Sequence, residues 1–245
     1  MVTIRKVPTP DALWVHGVIY GPSGVGKTRL ALTYTGGKVL VANIEDGYMS
    51  IAGSGIDMVD LRTRQDFHDL YTFLARGQHD YQMLWVDTFT EAKRFLTAQV
   101  LSGKSHRPDS VQYSMDDYRQ ANEMLRQWVW LLRSLPMHVF YVCLSATSRR
   151  KGDLVTKQTL DVGESLANSL FAYSSVVGYM TIEERQTASG ETARARVLHL
   201  APSDDWDAKL RLPPGFRAPK MIVSPTLDKV LSLYRQTPKE GESNE

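Results

Sequence analysis

The segment Gly21-Pro22-Ser23-Gly24-Val25-Gly26-Lys27-Thr28 constrains this chain more than any other. It matches G-x-x-x-x-G-K-[ST], the pattern of a loop that wraps a phosphate group. Gly21, Gly24 and Gly26 let the backbone curl so that successive N–H groups face an anion. Lys27 is placed to reach the β- and γ-phosphates, and the Thr28 hydroxyl to hold Mg²⁺. Arg29 extends the expected nucleotide-binding stretch by one residue. A helix after Gly26 adds an N-terminal dipole aimed at the same anion. The flanks agree: Ala12 to Tyr20 is an apolar run of strand length, and the helical pattern from Lys27 closes on Gly36-Gly37. A glycine turn without a ligand would not need that order of strand, turn and helix. The implied ligand is ATP or another nucleoside triphosphate, with Mg²⁺.

Alternation of apolar strands with helical segments gives the fold class. After the loop helix come Lys38 to Gly47, Ile56 to Arg62, Tyr81 to Thr90 and Met137 to Ala146 as strands. Asp66 to Gly77 carries Phe67, Leu70, Tyr71 and Leu74 at helical spacing. A further helix runs from Glu91 to Ser102. A long amphipathic one reaches Leu135, with Ser114 as its expected cap. The prediction is an α/β P-loop NTPase core: a mostly parallel sheet flanked by helices, with a C-terminal β-hairpin extension. That hairpin comes from two β-rich runs around QTASGET. A last helix follows Ser224-Pro225. Expected boundaries are an irregular lead-in over 1–11, one ATPase domain over 12–236 and a disordered tail over 237–245.

Composition then excludes several classes. A net charge of +2 in 245 residues is no nucleic-acid coat, yet it allows a local basic patch. The single cysteine, Cys143, sits in an apolar run and permits no disulfide framework, which fits a reducing cytoplasm. No apolar stretch is long enough to span a bilayer, so no membrane association is expected.

Hydrolysis needs a second anchor for Mg²⁺. Met83 to Val86 followed by Asp87 has the Walker B form, in which a buried strand delivers the carboxylate to the end of the sheet that holds the loop. Glu45 ends the strand after the loop helix, where carboxyl ends of parallel strands line the ligand crevice. It is the candidate general base for an attacking water. The plain alternative, an acidic turn residue, suits Asp46 better.

A P-loop, a glutamate ending the next strand, Walker B and then a basic loop resembles the RecA-like ATPases. The compact phage ATPases of the Sak-type single-strand annealing group are the most similar, through GPSGVGKT, the glutamate of IEDG and WVDTFTE, over most of 12–225. The resemblance implies ATP-dependent DNA recombination or annealing on single-stranded DNA by a homo-oligomeric ring or filament. It also implies a single-strand-binding protein as a partner, and the host cytoplasm as location if the chain is phage-encoded. In such assemblies a K-x-R pair reaches the neighbour's ATP site; here Lys209 and Arg211 match, though an ordinary exposed cationic pair would look the same. DNA contact is implied for Arg149, Arg150, Lys151 and Lys157 in one polar, basic loop, and for Lys104 and Arg107 in another. Solvated loops of ordinary charge are the alternative. The chain departs from RecA after the fifth strand, where Ser145 or Thr147 would replace a glutamine sensor of the γ-phosphate. A P-loop small-molecule kinase and a nucleotide-gated assembly switch for replication proteins stay open as other classes.

Overall fold

Strands with apolar residues on both faces need cover on both sides, and the topology supplies it. The computed structural model describes residues 6–102, 115–149, 156–186 and 190–236. Its strands are β1 (His16–Gly21), β2 (Lys38–Asn43), β3 (Asp57–Asp60), β4 (Tyr81–Asp87), β5 (His138–Arg149), β6 (Thr156–Leu160), β7 (Val176–Gln186), β8 (Thr192–His199), β9 (Lys209–Leu210) and β10 (Met221–Val223). The helices are α1 (Lys27–Leu30), α2 (Arg64–Ala75), α3 (Phe89–Ser102), α4 (Met115–Leu132), α5 (Glu164–Tyr173) and α6 (Leu227–Ser232).

All ten strands join one sheet, ordered β10-β8-β7-β1-β5-β4-β2-β3, with β6 on β5 and β9 on β7. From β7 to β3 every neighbouring pair is parallel. The mixed α/β architecture is that of a P-loop NTPase, as expected. Residue alternation divides the core into two layers. Val18, Tyr20, Leu84, Val86, Tyr141 and Cys143 face α2, α3, α4 and α5. Ile19, Val41, Met83, Trp85, Phe140 and Val142 face α1 and α6. Burying one such Val, Leu or Phe side chain contributes about 1.5–3 kcal/mol, so the sheet is a stiff platform for whatever its rim carries.

Three expectations need correction. The helix after the P-loop is one α-turn, Lys27–Leu30, which tightens into a 3₁₀ turn over Ala31–Thr33. The Thr33 hydroxyl donates to the Leu30 carbonyl at 2.7 Å, and this local bond competes with continuation of the helix. A single turn carries little macrodipole, so the anion site rests on the loop amides themselves. The basic stretch after the fifth strand is not simply a loop. β5 runs on to Arg149 and pairs antiparallel with β6, Ser145 opposite Leu160 and Arg149 opposite Thr156. Charged and threonine-rich ladders beyond the covered core have no apolar run to announce them. The hairpin is also more than an extension. The first half of β7 lies parallel to β1, and only its second half forms the antiparallel arm with β8. The long helix ends at Leu132, shortly before Pro136.

Candidate nucleotide site

The site lies at the carboxyl ends of β1, β4 and β2. β1 ends at Gly21, where the chain must pass close beside β7: a Cβ there would stand 2.2 Å from the Met180 carbonyl oxygen. The loop turns through Gly24 and Gly26, both at positive φ (79° and 95°). Pro22, Ser23, Gly24 and Arg29 are exposed, whereas the Val25 side chain is buried in the α1 layer and anchors the loop.

Lys27 opens α1 and is only 6% exposed. Its Nζ donates to the Gly21 carbonyl at 2.8 Å and the Pro22 carbonyl at 2.7 Å. Burial pulls its pKa down, against the opposing charges of Asp87 and Glu45. Asp87 ends β4 at 7% exposure. Burial pushes its carboxyl pKa up; a hydrogen bond from the Thr28 side chain opposes this, the charge of Glu45 adds to it, and Lys27 opposes it. The peptide between Asp87 and Thr88 is cis. Thr88 Oγ1 accepts from Glu91 N at 3.2 Å, at the start of α3. Thr90 Oγ1 accepts from Leu144 N at 3.0 Å, joining the β4 and β5 rims.

Glu45 is exposed, and its charge acts on both Lys27 and Asp87. The backbone explains its position. Asn43 lies opposite Asp87 in the β2–β4 register, and Ile44 N donates to the Asp87 carbonyl at 2.8 Å. Glu45 is the next residue, just beyond the rim. Asp46 takes the left-handed turn conformation (φ 59°) and pairs with the Arg62 guanidinium, which also donates to the Ile44 carbonyl at 3.1 Å. The turn role therefore falls to Asp46, and Arg62 braces the residues on both sides of Glu45. Arg62 was not legible as a site residue, because its partners are distant in sequence.

The residues present fit Mg²⁺. Among the described residues, one Asp87 carboxylate oxygen, Oδ2, is buried without a hydrogen-bond partner. No group of three or more His, Cys, Asp or Glu side chains gathers there into a metal cage. One hydroxyl and one carboxylate are a sparse oxygen set, which suits an ion that keeps waters and shares phosphate oxygens.

Other expected site residues lie elsewhere. Lys209 is opposite Val177, which is itself opposite Val18, so it is well back from the Gly21 end of β1. Its ammonium donates to the Phe171 carbonyl at the end of α5. Arg211 N donates to Ser175 O at 2.8 Å. Within one chain neither is brought to the P-loop. Lys157 on β6 pairs with Asp207 at 2.8 Å. Arg149 ends β5. Lys104, Arg107, Arg150 and Lys151 lie outside the described residues, as does Ser114. Ser145 and Thr147 alternate onto the face of Tyr141 and Cys143, opposite the α1 layer, and Thr147 Oγ1 accepts from the Gln158 amide at 3.1 Å.

A family model described as AAA domain matches residues 15–212. The chain belongs to that family. Its P-loop, Walker B strand and parallel sheet are those of an AAA-type P-loop ATPase domain. No curated protein matches the AAA domain's sequence. Among solved structures it is similar to a prototypical ATPase from the type III secretion system of pathogenic bacteria, at 16% identity and a TM-score of 0.45. That match covers 68% of this chain and 51% of the other, so the AAA domain spans about half the length of that ATPase. Among the described residues no helix is long and apolar enough to cross a membrane.

Proposed function

We propose that this AAA domain is a RecA-like ATPase that hydrolyses Mg²⁺–ATP and acts on single-stranded DNA in phage-type recombination, annealing or replication, as a homo-oligomer. The observation that carries the hydrolytic part is the placement of the P-loop after β1, of Asp87 at the end of β4 and of Glu45 just past β2, where Ile44 N donates to the Asp87 carbonyl. Loop amides and the Lys27 ammonium bind and orient the phosphates. Thr28 and Asp87 would hold Mg²⁺, which would supply positive charge to offset that of the phosphates. Glu45, exposed at that rim, orients a water and takes its proton as the water oxygen bonds to the γ-phosphorus and the bond to the β–γ bridging oxygen breaks, which releases ADP and phosphate. Its exposure leaves room for the water and for a neighbouring subunit. Tyr48 and Met49, exposed three and four residues on, give that rim an apolar border suited to a second copy.

The DNA part is supported by the order of motifs shared with the Sak-type group and by the basic β5–β6 region. In an oligomer, Lys209 and Arg211 are the cations that a neighbour would contribute in trans.

ATP turnover measured with and without an oligonucleotide tests the proposal. Stimulation by single-stranded DNA is the expected result. A DNA-independent rate with a phosphorylated small-molecule product would make the protein a kinase, and nucleotide binding without turnover would make it a switch.

A further inference from the structure

Arg196, on β8, reaches across to the P-loop. Its Nε donates to the Val25 carbonyl oxygen at 2.9 Å. A Cβ built on Gly26 would lie 2.7 Å from that same nitrogen, so the guanidinium lies against the Val25–Gly26 peptide. The backbone of Arg196 is held on both sides. It pairs with Ile182 across the hairpin, and its carbonyl accepts from Ser224 N at 2.8 Å.

A trans peptide is planar, and its C=O and N–H point in opposite directions. Holding the Val25 carbonyl toward β8 therefore turns the Gly26 N–H away from β8. In a phosphate-cradling loop the backbone N–H groups converge on the anion, and that of Gly26 belongs to the set. Gly26 has no Cβ and sits at φ 95°, so little within the loop resists rotation of this peptide plane. The restraint has to come from outside. A guanidinium is a charged donor, which makes the bond stronger than a neutral one and polarises the peptide, so that the opposing N–H becomes a better donor.

We propose that Arg196 is the positioning residue of the phosphate loop: it locks the Val25–Gly26 peptide with the Gly26 N–H directed at the bound phosphates. This inference rests on nucleotide binding at the P-loop and adds to it a brace from the opposite arm of the sheet. Arg196 touches the loop, and Lys27 touches the ligand.

The test uses the full chain with Arg196→Ala, Arg196→Gln, Arg196→Lys and Lys27→Ala, each titrated with Mg²⁺–ATP and melted without nucleotide. Arg196→Ala is expected to stay folded, melting at most a few degrees below the parent, yet to bind ATP about tenfold or more weakly. Its KM rises with kcat at saturating ATP little changed, a split that a general loss of packing would not give. Arg196→Lys restores a charged donor and recovers most of the affinity; Arg196→Gln, a neutral donor, falls between. A folded Arg196→Ala that binds ATP within about twofold of the parent overturns the inference. Should Arg196→Ala fail to fold, parent-like affinity in Arg196→Gln overturns it equally. Lys27→Ala separates the two levels. Loss of binding there with none in the Arg196 variants sinks only the brace, whereas unchanged binding in Lys27→Ala sinks the P-loop assignment beneath it.

Discussion

Replacing Asp87 with asparagine should stabilise this protein while removing the carboxylate proposed to hold Mg²⁺. Asp87 is almost fully buried, its Oδ2 has no partner among the described residues, and burial raises its pKa despite Thr28 and Lys27. The folded site as a whole thus disfavours the carboxylate relative to the unfolded chain. An unsatisfied buried polar group costs about 1–3 kcal/mol, and more if charged. Asparagine keeps an oxygen to accept from Thr28 and removes the charge, although Lys27 loses one nearby counter-charge. We expect a net gain of about 1–2 kcal/mol, or roughly 2–8 °C in melting temperature for a chain of this size. Calorimetry in EDTA at neutral pH measures it. The pH trend has a definite sign. Because the folded pKa lies above the unfolded one, native Asp87 takes up a proton first as pH falls, so the penalty is full above the folded pKa and fades below it. The advantage of Asp87→Asn should shrink accordingly in acid. Adding Mg²⁺–ATP should raise the melting temperature of the parent and leave that of Asp87→Asn nearly unmoved. A variant that melts below the parent in EDTA would refute the reasoning, because the carboxylate would then be a net stabilising partner of Lys27.

Glu45→Gln should bind Mg²⁺–ATP like the parent and lose about 10²–10⁴-fold in turnover, the usual contribution of a general base; near-normal turnover would remove Glu45 from that role. Lys209→Ala or Arg211→Ala subunits, titrated into parent protein, should poison ATP turnover more than in proportion if each cation serves a neighbour's site. A strictly proportional loss would show that the pair works, if at all, within its own chain.

Much of the nucleotide site was legible because its residues are local or periodic. The P-loop is contiguous, Asp87 ends the apolar run of β4, and Glu45 follows that of β2 by two residues, so strand length carries both close to the same rim. The braces were not legible. Arg62 reaches back to Ile44 and Asp46, and Arg196 reaches the Val25 carbonyl from a strand near the far end of the chain. Such contacts depend on which strands become neighbours, and no local pattern encodes that. The length of α1 was misjudged because helical spacing in Lys27 to Tyr34 says nothing of the Thr33 hydroxyl that ends the turn. The β5–β6 ladder was missed because its ladder bonds come from backbone groups, which every residue type except proline can supply.

The length of β5 has a mechanical implication. It is one continuous strand from His138 to Arg149; its first half lies between the P-loop strand and the Asp87 strand, and its second half is zipped to β6. Leu144, partway along, is tied by its N–H to Thr90, three residues beyond Asp87. A rod with no joint passes displacement along its axis instead of absorbing it. A pull at the Arg149 end would therefore reach the Thr90 contact beside Asp87, and a shift at that contact would reach Arg149.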